Sequence, residues 1–240
     1  MFHSISAIEV FAEEGLDYVF VDFEHTGPSI WDAPYLEHIV RATGGTDLEP
    51  IVRIPSGHPQ SISAMIRKVL DTGIRNVVIP RLRTADEVDT VVRASRYEHR
   101  SGAGDRGIPA SRQSSWGEKI NEAWVAHEDA TANVGIMVEN EQAVKDIDQI
   151  LAVPHLAFVL VGSMDLSVDL ESPTDTDTPQ SREAIRNVIE ASVDANVPVG
   201  VLGDYGKQIS PDRAAELHFK HVGSDVGFVR RGIREEIDGR

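Results

Sequence analysis

The chain contains no cysteine, which excludes disulfides and thiolate metal sites. Lysine is nearly absent as well, with five lysines against eighteen arginines, and aromatic residues make up only 6% of the 240 positions. Positive charge is scarce overall: the formal net charge is −16, which excludes the basic face that a nucleic-acid-binding surface needs. No apolar stretch approaches the roughly 20 residues of a membrane span. The amino terminus, Met1-Phe-His-Ser-Ile-Ser-Ala-Ile-Glu-Val, lacks the basic and long apolar regions of a signal peptide. A cytoplasmic protein that meets neither membrane nor nucleic acid is the simplest expectation. An acidic, lysine-poor surface also stays hydrated in concentrated salt, so the composition points to a halophile; an ordinary acidic cytoplasmic protein is the alternative.

What the chain does have is an ordinary apolar fraction, 41%, arranged in short runs that end in polar residues. Tyr18–Asp22 leads into Phe23-Glu24-His25, and Pro50–Val52 into Arg53. Val134–Val138 leads into Glu139, and Phe158–Val161 into Gly162-Ser-Met-Asp165. Runs of this length read as strands buried on both faces, the kind found in parallel sheets. In a closed α/β barrel, catalytic groups sit where such strands end, so these four ends would converge on one rim.

Helix-like stretches alternate with the runs, as repeated βα units require. Helices are expected at 6–14, 31–42, 61–70, 85–94, 118–127, 141–151, 182–195, 211–217 and 226–237, the fourth opened by a capping box at Thr84-Ala-Asp-Glu. Strands are expected at 17–22, 49–53, 74–80, 134–138, 157–161, 197–202 and 220–222. The irregular stretch 97–117 is a candidate substrate loop, and 170–180 an acidic surface loop. With no linker or break in composition, residues 1–240 read as one domain. The fold expected is α/β, a TIM (β/α)8 barrel. Seven strands are counted where eight are needed, so the first strand is missing: either the chain is truncated, or another segment closes the barrel.

Gly15-Leu-Asp-Tyr-Val-Phe-Val-Asp-Phe-Glu-His25 resembles the opening motif of the HpcH/HpaI aldolases, the metal-dependent class II pyruvate aldolases. Further segments agree in order: Ile51-Val-Arg-Ile-Pro55, Met137-Val-Glu139 and Val161-Gly-Ser-Met-Asp-Leu-Ser167, together with Leu70-Asp-Thr-Gly73 and Asp105-Arg-Gly107. The chain departs from that pattern at Met137, where the family often has glutamine, and at Met164, where a smaller residue is usual.

The resemblance implies an aldehyde-lyase that reversibly cleaves a 4-hydroxy-2-oxo acid to pyruvate and an aldehyde. Carried over, Glu139 and Asp165 would hold a divalent cation, Mg²⁺ or Mn²⁺ with Co²⁺ as a further candidate. Arg53 would contact the keto or enolate oxygen, and His25 would pair with Asp71 for proton transfer. The substrate would lie against Gly162, Ser163 and Met164, with Arg106 a possible anchor from its loop. A homo-oligomer, trimer or hexamer, is implied too. The residue chemistry agrees: two carboxylates form a hard oxygen site with open positions, Arg53 is a permanently charged donor, and histidine titrates near neutrality.

Plainer readings stay open. Arg53 can be the ion-pair partner of Asp22 or Glu24, Glu139 and Asp165 can be helix caps, and Arg106 can be solvated. Trp116 and Trp124 read as packing residues, in the core or at a subunit contact, and His218 and His221 as structural ones. The rival functions are a malyl- or citramalyl-CoA lyase, disfavoured by the lack of a basic patch for the CoA phosphates, and a non-catalytic truncated paralogue.

Overall fold

A computed structural model of the chain describes residues 3–98, 104–171, 175, 177–203 and 211–239. Seven strands lie in one sheet in sequence order: β1 (Tyr18–Asp22), β2 (Glu49–Arg53), β3 (Asn76–Ile79), β4 (Asn133–Val138), β5 (Leu156–Gly162), β6 (Val199–Leu202) and β7 (Phe219–Lys220). Every neighbouring pair is parallel. The reason lies in the runs themselves: β4 and β5 are buried along almost their whole length, which only a sheet covered on both faces can satisfy.

Side chains divide between those faces. Outward residues such as Val52, Val77, Ile136 and Val159 join the helices in one large apolar core. Inward residues form a second, smaller core of Ile51, Val78, Met137, Phe158 and Leu160, against which Tyr18, Phe20 and Phe219 pack. The inner core shows that the sheet curls. The Tyr18 ring on β1 meets the Phe219 ring on β7 at 5.7 Å between centroids, and Phe219 meets Phe158 at 5.3 Å. First and last strands thus touch through aromatic side chains, although β1 and β7 share no backbone ladder. Among the described residues no eighth strand fills the seam, so the sheet is seven-stranded and curled like a TIM barrel without being closed. The expectation that another segment might complete it is not met by any described residue.

Helix signals match local chemistry. Ser4 and Asp32 accept N–H groups at the starts of Ile5–Glu13 and Ala33–Thr43, and Gly73, with φ of 107°, ends Pro59–Thr72. The capping box at Thr84 and Glu87 forms as expected. Two expectations need correction. The single helix at 141–151 is two, Glu141–Lys145 and Ile147–Leu151, separated at Asp146. The segment after β5, where no helix is expected from sequence, is a helix, Ser163–Asp169, anchored by buried Leu166.

The 97–117 stretch is pinned, so far as it is described, by main-chain bonds from Asp105 to Arg93 and from Arg106 to Arg96. Residues 99–103 of that loop, and 172–174 and 176 of the acidic loop, lie outside the described residues. Arg106 runs inward to a buried charge network at the amino-terminal end of β3. It donates to Asp71 at 2.9 Å, lies 3.7 Å from Glu128 and covers the Tyr97 ring at 4.6 Å. Arg75 donates both terminal nitrogens to Glu128, at 2.7 and 2.6 Å. Burial raises the Asp71 pKa despite the Arg106 hydrogen bond, and pushes the Tyr97 hydroxyl up to about 12.

Removing one partner from such a network strands the others. Glu128→Gln is expected to lower unfolding free energy by about 3 kcal/mol, read as a fall in urea midpoint at unchanged slope. A loss under about 0.5 kcal/mol would mean that the network is solvated rather than buried.

Candidate active site

The carboxyl-terminal ends of β1, β2, β4 and β5 carry the candidate residues to one rim. Register makes this local: Asp22 on β1 is directly opposite Arg53 on β2, and Val138 on β4 is opposite Val161 on β5. The residues that follow therefore leave the sheet side by side.

Asp22 and Arg53 form a buried, two-pronged ion pair. Arg53 donates Nε to Oδ1 at 2.9 Å and Nη2 to Oδ2 at 2.7 Å, and the side chains are 9% and 1% exposed. Oδ1 also accepts the main-chain N–H of Glu24 at 2.9 Å and of His25 at 3.4 Å. Burial pushes the Asp22 pKa up, but the hydrogen bonds and charge of Arg53, together with the Glu24 and His25 N–H groups, hold the group below its ordinary value. Arg53 still presents Nη1, 3.2 Å from Glu24 Oε2 and 3.7 Å from the Met137 sulfur. The ion-pair reading of Arg53 is thus observed, and one edge of the guanidinium faces the site.

Glu139 lies beside this pair, 4% exposed, and its Oε2 has no hydrogen-bond partner. A Cβ at Gly162 would come within 2.9 Å of that oxygen, so glycine makes the room for it. Burial, then the charges of Asp165 and Glu24, push the Glu139 carboxyl up to about 7, against the pull of Arg53 and the Arg81 main-chain N–H. Asp165, in the first turn of the helix after β5, is half-exposed beside it. Neither carboxylate caps its helix: Asn140 caps Glu141–Lys145, and Gly162 precedes Ser163–Asp169.

His25 stands at the rim with its side chain 57% exposed and Nε2 3.7 Å from Glu24 Oε2. It does not pair with Asp71, which is bound to Arg106 at the amino-terminal end of β3. Sequence spacing could not reveal that Asp71 and Arg106 belong to that end. Arg106 correspondingly has no place as a substrate anchor within this chain.

A cavity of about 380 Å³ opens between β1 and the segment after β7 and reaches the rim. Its lining includes Asp22, Arg53, Met137, Gly162, Ser163, Met164 and Asp165. Ser163 is held by its Oγ–H bond to Leu202 O at 3.0 Å, while Met164 is exposed at the mouth. His221 also lines the cavity, whereas His218 Nδ1 accepts the Val199 N–H at 3.4 Å. Trp124 packs on Tyr97 at 5.8 Å; Trp116, expected to pack, is 74% exposed. Arg81, immediately after β3 and Pro80, was not singled out from sequence. It has φ of 62°, and its Nη1 is 4.0 Å from Asp165 Oδ1.

No group of three or more His, Asp and Glu with metal-ligand spacing occurs among the described residues. The two-carboxylate set nevertheless fits a hard divalent cation, because Glu139 Oε2 is a buried acceptor with nothing to accept from and Asp165 is open to solvent.

Comparison with known proteins shows what the chain as a whole is similar to. The sequence profile of the HpcH/HpaI aldolase/citrate lyase family matches residues 3–231. A 2-keto-3-deoxy-L-rhamnonate aldolase from Escherichia coli O17:K52:H18 is 30% identical, over 95% of this chain and 82% of its own. A hydroxypyruvate/pyruvate aldolase from Paraburkholderia phytofirmans is 26% identical, over 98% and 88%. A crystal structure of an HpcH/HpaI aldolase/citrate lyase family protein from Burkholderia cenocepacia J2315 superposes with a TM-score of 0.85, covering 99% of this chain and 90% of that one at 26% identity.

The raised Glu139 pKa has a consequence for stability. A carboxyl whose folded pKa lies above its unfolded value favours the fold fully below the unfolded value, and loses that contribution as pH rises through the folded one. With 4.5 as the ordinary value and about 7 in the fold, the window runs between them. In chelator-treated protein, Glu139→Gln should match the wild-type thermal midpoint near pH 5 and exceed it at pH 8. Equal midpoints at both pH values would show that Glu139 is not charged against its surroundings.

Proposed function

This chain belongs to the HpcH/HpaI aldolase/citrate lyase family, and from that premise we propose that it is a divalent-metal-dependent aldolase. In this reading it reversibly cleaves a 4-hydroxy-2-oxo acid to pyruvate and an aldehyde. The observation that carries the reading is the unpartnered, buried Glu139 oxygen beside Asp165, next to an arginine locked at a strand end.

Glu139 and Asp165 would hold the cation, Mg²⁺ or Mn²⁺. When bound, a divalent cation supplies Lewis-acid polarisation of the 2-oxo group. Arg53 is oriented by Asp22, so its Nη1 edge is presented without further loss of side-chain freedom. That edge donates to the 2-oxo oxygen, where negative charge builds as the C3–C4 bond breaks. His25 removes the proton of the 4-hydroxyl, directly or through water, and the aldehyde carbonyl forms as C4 leaves. C3 then takes a proton and becomes the methyl group of pyruvate. The turn built on Asp22 fixes where His25 leaves the sheet, because Oδ1 holds the Glu24 and His25 N–H groups. Glu24 lies between His25 and Arg53.

Gly162, Ser163 and Met164 border the space left for substrate. A catalytic part for Asp71 requires a second subunit, as in the homo-oligomer expected from the sequence.

Release of pyruvate from a 4-hydroxy-2-oxo acid, followed by a coupled reductase, tests the proposal. Activity should vanish with chelator, return with Mg²⁺ or Mn²⁺, and fall at least about a hundredfold in His25→Ala and Glu139→Ala. Pyruvate release indifferent to chelator would remove the metal from the mechanism. No release under any condition would favour a non-catalytic protein.

A further inference from the structure

Arg81 stands apart from the other cation of the site. Arg53 is 8% exposed and has committed Nε and Nη2 to Asp22 and lies against Glu24. Arg81 is 58% exposed in its side chain, and its recorded ionic contact, to Asp165 Oδ1, is 4.0 Å long, beyond hydrogen-bond reach. Its guanidinium therefore keeps its planar donor fork for another acceptor.

The backbone beneath it is unusual. Arg81 has φ of 62°, the left-handed region that costs a non-glycine residue free energy. That conformation turns its main-chain N–H towards Glu139 while the side chain leans over Asp165. Pro80 before it fixes the exit from β3. The result is a solvent-exposed cation next to both carboxylates that the proposed function assigns to the metal.

We infer that Arg81 is a specificity-determining residue that binds an anionic group, best a carboxylate, on the aldehyde half of the substrate. The inference rests on the aldolase reading above. The proposed function assigns the pyruvate half to Arg53 and Glu139, which are 8% and 4% exposed. A substrate held there would direct the part beyond C4 away from these buried groups, towards solvent-exposed side chains beside Asp165 such as Arg81. Commitment of Asp165 to a cation removes Arg81's ionic partner, and an arginine fork is geometrically matched to a carboxylate.

The experiment is aldol addition of pyruvate to 5-oxopentanoate and to pentanal, two aldehydes of equal length that differ in a terminal carboxylate. The full-length wild-type protein is expected to favour 5-oxopentanoate in kcat/KM. Arg81→Ala should lower that preference by roughly tenfold or more, the size of a lost charge-assisted hydrogen bond. Arg81→Lys should retain part of it. Arg81→Gly, which relieves the left-handed strain, should lose it while remaining at least as stable to heat. A wild-type enzyme without the preference, or variants that keep it, overturns the inference. So does an Arg81→Ala protein that slows both aldehydes equally and changes its Mn²⁺ affinity, which would place Arg81's action on Asp165 alone. Exchange of pyruvate methyl protons with D2O by the wild-type protein needs no aldehyde and separates the two readings. Its absence overturns the aldolase assignment and the inference with it, whereas exchange with an unchanged preference overturns only the role of Arg81.

Discussion

The Asp22–Arg53 ion pair is the constraint on which the rim depends. Two charges buried at adjacent strand ends are costly unless every lone pair and donor is used. Here nearly all are: two guanidinium bonds, two main-chain N–H groups and the Glu24 contact surround the pair. Because Asp22 neutralises Arg53 at contact distance, Arg53 compensates Glu139 only weakly, and Glu139 retains a raised pKa and an unpartnered oxygen. A single strong pair thus orients the arginine, shapes the turn that carries His25, and leaves the carboxylate beside it without a partner for one oxygen.

The opposite end of the sheet shows the contrast. Arg106 and Glu128 are also buried charges, with half-buried Asp71 and Arg75 against them, yet the two carboxylates there each have an arginine partner at hydrogen-bond distance. That network ties the 97–117 loop to β3 and to helix Glu122–Thr131, and it has no unpartnered carboxylate oxygen comparable with Glu139. At that end the unpartnered buried atoms are the Arg106 Nε and Nη1 donors and the Tyr97 hydroxyl, whereas at the rim the unpartnered atom is a carboxylate oxygen of Glu139.

Much of this was legible from sequence because parallel strands buried on both faces must be written as nearly unbroken apolar runs. Tyr18–Asp22, Val134–Val138 and Phe158–Val161 could hardly be anything else, and the polar residues that follow them are His25, Glu139 and Asp165. The strand count also exposed the seam between β1 and β7. What the pattern does not encode is which end of a strand a loop residue visits, so it gives no sign that Asp71 and Arg106 meet at the amino-terminal end of β3 within this chain. The short helix Ser163–Asp169 was hidden because Leu166 and Leu170 are its buried anchors and seven residues show too little periodicity. Arg81 carried no signal at all: a left-handed arginine looks in sequence like any other arginine after a proline.

The central claim is that Glu139 is the protonatable seat of a divalent cation. Calorimetric titration of Mn²⁺ at pH 7, repeated in buffers of different ionisation enthalpy, measures protons released per cation bound. With the Glu139 carboxyl near 7, about half a proton should be released per site, falling towards zero at pH 8.5 and vanishing in Glu139→Gln. Tight Mn²⁺ binding with no proton release at pH 7, or with release unchanged in Glu139→Gln, would contradict it.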